Sequence, residues 1–266
     1  MMLRQRFPMA ILSSLKRSVW MICGYTLLTS CAATQNASPL PPGGGPAMMS
    51  SKAKVPSCSG VPFTEVFTGT TLNPCWTISS PNSDSSVGLN GKGSLLMKAS
   101  PLNGGSDLCP CSNYSAPVIL QPVSPTVDWT ITTKLKVATT NDFEGAGILL
   151  AYQPGGFTSS SQQFERAIEV QYRASIGEQI CSFGILSWAY CGSYAGKLVF
   201  FEIVKSGLTY STYFSSNGKT WVPAASQSVS TAYTWVGLVS MRQPWDGNES
   251  AYTNAYFKYF KAKVKK

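Results

Sequence analysis

Histidine is absent from all 266 residues. That excludes Ser-His-Asp and Cys-His catalysis, imidazole metal ligation and a histidine pH switch. Charge is scarce too. Only 12% of residues are charged, about half the roughly 25% of ordinary globular chains. With 44% hydrophobic and 12% aromatic residues, this composition argues against disorder. The apolar run at 19–29 has eleven residues, short of the about 20 that a membrane helix needs. From residue 57 onward no helical period is found.

The net charge of +9 points to nucleic acid until it is located. Arg4, Arg6, Lys16 and Arg17 precede the apolar run, and Lys258, Lys261, Lys263, Lys265 and Lys266 crowd the last nine residues. The other twelve bases balance twelve acids. The basic end reads as a solvated tail. No groove-reading helix accompanies it, so nucleic acid is not expected as a partner.

Basic residues followed by a short apolar run have the form of an export signal. The run closes on Leu28-Thr29-Ser30-Cys31 and Ala32, which resembles the lipobox of bacterial lipoproteins. This implies lipidation of Cys31 and residence in the cell envelope. Residues 31–56 contain Pro39, Pro41, Pro42, Pro46, Pro56 and three consecutive glycines, the composition of an extended tether. The expected organisation is a signal at 1–30, a tether at 31–56 and a folded domain at 57–266.

Six cysteines fall in that domain: Cys58, Cys75, Cys109, Cys111, Cys181 and Cys191. An even count in an exported chain reads as disulfides. Cys181 and Cys191 bracket a short excursion and are expected to pair. The other four allow three pairings, and the spacing leaves the choice open. Cys109-Pro110-Cys111 has the alternative of a soft-metal site, which no histidine or second close pair supports.

Strand periodicity recurs throughout the domain. At 128–137, Trp129, Ile131, Leu135 and Val137 alternate with polar residues. At 166–173, Ile168, Val170 and Tyr172 face one way while Glu169, Gln171 and Arg173 face the other. Both are signatures of half-buried strands. Further strands are expected at 93–100, 117–121, 145–152, 197–205, 208–215, 233–241 and 254–264. Asn217-Gly218 is expected to form a two-residue type I′ hairpin turn. About a dozen strands with tight turns imply two packed antiparallel sheets. Trp76, Trp129, Phe257 and Tyr259 are assigned to the core.

The motifs of residues 67–76 (Phe-Thr-Gly-Thr-Thr-Leu-Asn-Pro-Cys-Trp), 91–97, 116–121, 146–150, 213–221 and 255–260 follow one another in the order found in concanavalin A-like modules. The domain resembles that family across nearly its whole length, and most of all the C-terminal concanavalin A-like domains attached to β-xylosidases. The resemblance implies an all-β, two-sheet antiparallel jelly-roll sandwich. Lys258 departs from the pattern, because relatives typically carry an aspartate there that in several modules helps hold a structural calcium. An ammonium cannot ligate a hard cation. No cofactor is expected, and calcium is not expected at that place.

Glycoside hydrolysis needs two carboxylates about 5 Å apart, or 6.5–9.5 Å apart for inversion. Catalytic jelly rolls usually present them as a Glu-x-Asp-x-x-Glu run, which this chain lacks. Glu165 and Glu169 share a face if their strand is regular, and read as a solvated face. Binding is the chemistry left. Sugar rings stack on aromatic side chains, while amides and charged groups take the hydroxyls. The expected binding residues are Trp188, Tyr190 and Tyr194 around the Cys181–Cys191 staple, with Tyr213 and the strand residues Glu169, Gln171 and Arg173. The leading expectation is a monomeric, lipid-anchored, non-catalytic carbohydrate-binding module for a polysaccharide or other glycan. The alternatives are a glycoside hydrolase or lyase of the same class, and an envelope protein–protein interaction module.

Overall fold

The computed structural model describes residues 58, 60–109, 113–139, 141–157, 163–184, 188–196, 198–243 and 250–265, all within the compact unit Lys52–Lys266. The expected signal, lipidated Cys31 and tether lie outside the described residues, as does Cys111. Fifteen strands and no helix occur among the described residues.

In chain order the strands are β1 (Phe63–Glu65), β2 (Thr77–Ser79), β3 (Ser86–Leu89), β4 (Leu95–Ala99), β5 (Val118–Pro122), β6 (Trp129–Ala138), β7 (Glu144–Ala151), β8 (Phe164–Arg173), β9 (Gly177–Ser182), β10 (Tyr190–Ser193), β11 (Val199–Ser206), β12 (Thr209–Ser215), β13 (Val222–Ser228), β14 (Trp235–Arg242) and β15 (Thr253–Val264). The first sheet runs β13-β12-β11-β6-β15-β4-β3, with β1 also paired to β15. The second runs β10-β9-β8-β7-β14-β5-β2. Every pairing is antiparallel. The expected all-β, two-sheet antiparallel sandwich is the fold found.

Alternation along the strands supplies the core. Ile131 and Leu135 of β6, Ile203 of β11 and Phe257 of β15 meet Ile148, Ile168 and Leu238 of the second sheet in one buried cluster. Fully burying such a side chain contributes about 1.5–3 kcal/mol. Trp129 and Tyr210 pack edge to face at 5.9 Å. A buried Ser182–Thr212 hydroxyl contact of 2.6 Å ties the two sheets together.

Three expectations need correction. Asn217-Gly218 does not form a two-residue turn, since β12 and β13 pair through Phe214 and Val222. Type I′ needs positive φ at both residues, and of the two only Gly218 has it. Asn217 Oδ1 instead accepts from the Lys219 and Thr220 N–H groups, and Ser215 Oγ accepts from Gly218 N, holding a wider loop. Tyr259 is not in the core. A bulge between Phe257 and Phe260 keeps both phenylalanines inward and leaves the Tyr259 ring outside, under Lys261 Nζ. The basic tail is no tail either: Lys258, Lys261 and Lys263 are residues of β15, which lies between β6 and β4.

Candidate functional site

The outward face of the second sheet is covered over much of its area. Ser106 pairs with the end of β14 through reciprocal backbone bonds to Arg242 of 2.8 and 2.7 Å, and Leu108 bridges Tyr114. This segment brings Leu108 onto outward residues of β5, β7 and β14: Val118, Leu120, Leu149, Val239 and Met241. Phe157 and Phe164 close the same patch, their rings 4.8 Å apart. The result is a second hydrophobic layer, separate from the core between the sheets.

Beside that layer lies a buried ionic group. Arg166 donates Nε–H to Glu169 Oε2 at 2.8 Å, and its Nη2 meets Glu169 Oε1, so both carboxylate oxygens are engaged. The two residues are 3% and 1% exposed. They fit because β7 presents glycines beneath them. A Cβ on Gly147 would stand 2.1 Å from Ile168 O and 2.6 Å from Glu169 Cα, and one on Gly145 would stand 3.3 Å from Glu169 Oε1. Asp107 on the covering segment accepts from Leu108 N at 2.8 Å and from Gln243 Nε2 at 2.6 Å. Burial pushes its carboxyl up to about 6; nearby Arg166 pulls it down and Glu169 raises it. Desolvation disfavours the charged form of a carboxyl in this way.

At the β8–β9–β10 end of this face a cleft of about 370 Å³ stays open, lined by Asp142, Gln171, Arg173, Ser175, Ile176, Gln179, Trp188 and Cys191. Trp188 is held by the Arg166 guanidinium, whose Cζ lies 4.7 Å from the ring centroid, a cation–π contact. Arg173 lies 3.9 Å over the Phe143 ring. Phe143 itself adopts φ +61°, a left-handed conformation uncommon outside glycine. Asp142 Oδ1 accepts from Ala174 N at 2.9 Å, closing the rim. A neighbouring cleft of about 420 Å³ shares Ile176 and is lined by Glu178, Ser193 and Tyr194.

The expected binding residues are therefore divided. Gln171, Arg173 and Trp188 come together in the first cleft. Glu169 lies buried beside them, not on a solvated face, because Arg166 pairs with it. Tyr194 lines the second cleft and donates to Leu198 O at 2.6 Å. Tyr190 turns inward, 6.2 Å from the Phe214 ring. Tyr213 belongs to the first sheet, opposite Glu202, and is brought to neither cleft. Asp142, Gln179 and Ile176 line the first cleft without having been expected there. Gln179 pairs directly with Gln171 across β8 and β9. The glycine at 177, four residues past the alternating segment 166–173, is the sequence signal that could have marked this hairpin, since Gly177 takes φ +90° at its turn.

Glu165 and Glu169 do not share a face. A register shift in the β7–β8 pairing sets Glu169 opposite Gly147 but Glu165 opposite Leu150, whose side chain lies in the core between the sheets. Burial raises the Glu165 carboxyl to about 7, against the lowering effects of the Gly184 N–H and Arg166. Cys181 and Cys191 are disulfide-bonded across directly paired positions of β9 and β10, as expected. Of the three pairings left open, the structure has Cys58–Cys75. Cys109 is also disulfide-bonded. Lys258 Nζ lies 3.5 Å from Gly93 O. Among the described residues no three His, Cys, Asp or Glu side chains stand together as a metal-binding group.

The architecture is that of a concanavalin A-like sandwich. Solved structures similar to it include a GH43 protein from Bacillus licheniformis, with 16% identity, TM-score 0.57, 76% of this chain and 39% of that one covered. The xylan β-1,4-xylosidase of Bacillus halodurans matches with 19% identity and TM-score 0.55 over 75% and 38% of the two chains. A Bacteroides ovatus GH43 protein of a xyloglucan utilisation locus matches with 17% identity and TM-score 0.55 over 77% and 39%. The match thus spans about two fifths of each of those chains. No protein-family model and no curated protein sequence matches this chain.

Proposed function

We propose that the protein is an exported, lipid-anchored, non-catalytic carbohydrate-binding module whose glycan lies in the cleft at the β8–β9–β10 end of the second sheet. The observation that carries this reading is the pairing of one partly exposed indole with amide and charged groups. Trp188 stands on Arg166, and Gln171, Gln179, Arg173 and Asp142 line the same cleft. An indole offers its face to the C–H side of a pyranose, while amides and the guanidinium take hydroxyls. The occurrence of this fold within GH43 chains supports a sugar ligand. The disulfides support an oxidising compartment, and the Leu28–Cys31 motif supports the lipid anchor.

The carboxylates argue for binding without cleavage. Among the described residues the cleft lining holds a single carboxylate, Asp142. Glu169 is committed to Arg166, and Glu165 faces the opposite side of its strand. A hydrolase would need two carboxylates across one bond.

Titration calorimetry of the full-length chain against soluble neutral polysaccharides, xylan and xyloglucan among them, tests the reading. At least one is expected to bind, and Trp188→Ala is expected to weaken it about tenfold, the factor that corresponds to about 1.4 kcal/mol. Silence toward every neutral glycan would overturn it. So would release of reducing sugar that Asp142→Asn abolishes. Loss of fatty-acid labelling in Cys31→Ser checks the anchor.

A further inference from the structure

We propose that the outward face of the first sheet is a second binding surface, separate from the cleft, for a carboxylate-bearing acidic polysaccharide. Six lysines point outward from three strands of this sheet: Lys98 on β4, Lys134 and Lys136 on β6, and Lys258, Lys261 and Lys263 on β15. Their partners across the ladder are neutral wherever the register pairs them directly. Lys134 stands opposite Phe200, Lys136 opposite Tyr256, Lys98 opposite Asn254, Lys261 opposite Thr132 and Lys263 opposite Thr130. None of the six makes an ion pair among the described residues, whose salt bridges are all elsewhere. The outward acid found among them is Glu202 of β11, whose carboxyl burial pushes upward.

Alternate residues of a strand lie about 6.6–6.8 Å apart and neighbouring strands about 4.8 Å apart, so the ammonium groups form a spaced array on a sheet. Aromatic rings are interleaved with them. Lys98 lies 3.8 Å over the Tyr252 ring, Lys134 5.1 Å over Phe200 and Lys261 4.5 Å over Tyr259. An uncompensated array of one sign attracts a polymer of the other sign and raises its local concentration.

The choice of a polyuronate among polyanions rests on the glycan reading proposed above, and lysine ammonium groups meet carboxylates strung along such a chain as point charges. An oligonucleotide and phosphatidylglycerol vesicles stand for the phosphate-bearing polymer and the lipid surface in the test below.

The test is affinity electrophoresis and calorimetry of the full-length chain with polygalacturonate at two salt concentrations. Binding is expected, and it is expected to weaken steeply with salt because counterions screen exposed charge. Lys134→Glu with Lys261→Glu is expected to lose at least tenfold in affinity. Lys134→Arg with Lys261→Arg, which keeps both charges, should stay within twofold, with circular dichroism confirming that every variant folds. Neutral-glycan binding in the cleft should not change in the lysine variants, so failure here and failure of the cleft reading give different results. No binding to polygalacturonate, an equal loss in the arginine pair, or tighter binding to phosphatidylglycerol vesicles or an oligonucleotide would each overturn the proposal.

Discussion

The two sheets both carry charged residues outward from their strands, and they treat them in opposite ways. On the second sheet Arg166 and Glu169 are almost wholly buried, paired with each other beside a layer formed by the segment that carries Leu108. On the first sheet Lys136, Lys258 and Lys263 stand exposed with no carboxylate partner among the described residues. A strand's alternation assigns residues to two faces, but it does not say which face is wet. A covering segment makes the difference, because once water is excluded a charge must be paired or neutralised. The covered face therefore contributes to stability and fixes Trp188 beside the cleft. The open face contributes little to stability and remains free to bind.

The comparison breaks hardest at the buried pair. Arg166→Ala leaves Glu169 buried and unpartnered, which should cost about 3–5 kcal/mol. At roughly 2–4 °C per kcal/mol for a domain of this size, the melting midpoint should fall by about 6–20 °C. Arg166→Met combined with Glu169→Leu should recover most of the loss, since well-packed apolar replacements of buried pairs are often neutral. A drop worth less than about 1 kcal/mol in urea titration would show that the face is not sealed, because exposed pairs contribute only that much.

A smaller effect lies in pH. Asp107 titrates at about 6 in the fold, against 3.8 for an ordinary carboxyl, because of burial, and Glu165 at about 7 against 4.5 for the same reason. The folded state therefore binds more protons than the unfolded chain between pH 4 and 7, and stability falls as pH rises through that window. A tenfold difference in proton affinity between the two states is worth about 1.4 kcal/mol, so Asp107 accounts for a loss on the order of 2–3 kcal/mol by pH 7. Asp107→Asn should stabilise the protein above pH 6 and flatten part of the slope. Its amide can keep the Leu108 N–H bond and also donate toward Gln243 Oε1, which has no partner among the described residues. Chemical denaturation at pH 4.5 and 7.5 measures this, and a stability that rises across the window would contradict it.

The smallest effect is expected on the open face. Lys263→Glu should change stability by less than about 0.5 kcal/mol, as surface substitutions usually do. A larger change would mean that the lysines are structural after all.

Much of the fold was legible in the residues. Ten-residue alternation announced β6, because a pleated strand packed on one face repeats every two residues, while unbroken apolar runs announced β5, β7 and β14, which are buried on both faces. The three- and four-residue strands β1, β2, β3 and β10 went unread, being too short to show a period, and so did β9 (Gly-Glu-Gln-Ile-Cys-Ser) and β13 (Val-Pro-Ala-Ala-Ser-Gln-Ser), whose residues show no apolar alternation. At the site, the polar spacing of β8 pointed to Gln171 and Arg173, which line one cleft with Trp188, whereas Tyr190 and Tyr213 lie apart from it. An aromatic at alternating spacing looks the same whether it faces Phe214 or solvent.

What the sequence determined alone is local: strand periods, the shortage of charge, the lack of a histidine and the cysteine pair flanking a short excursion. Each follows from near neighbours along the chain. What only the tertiary structure decided is which of two equivalent strand faces becomes interior. The register shift that parts Glu165 from Glu169, the segment that seals Arg166, and the central place of β15 that turns an apparent tail into a cationic surface all depend on residues far apart in the chain. Their energies exist only once those residues meet, so no local pattern records them.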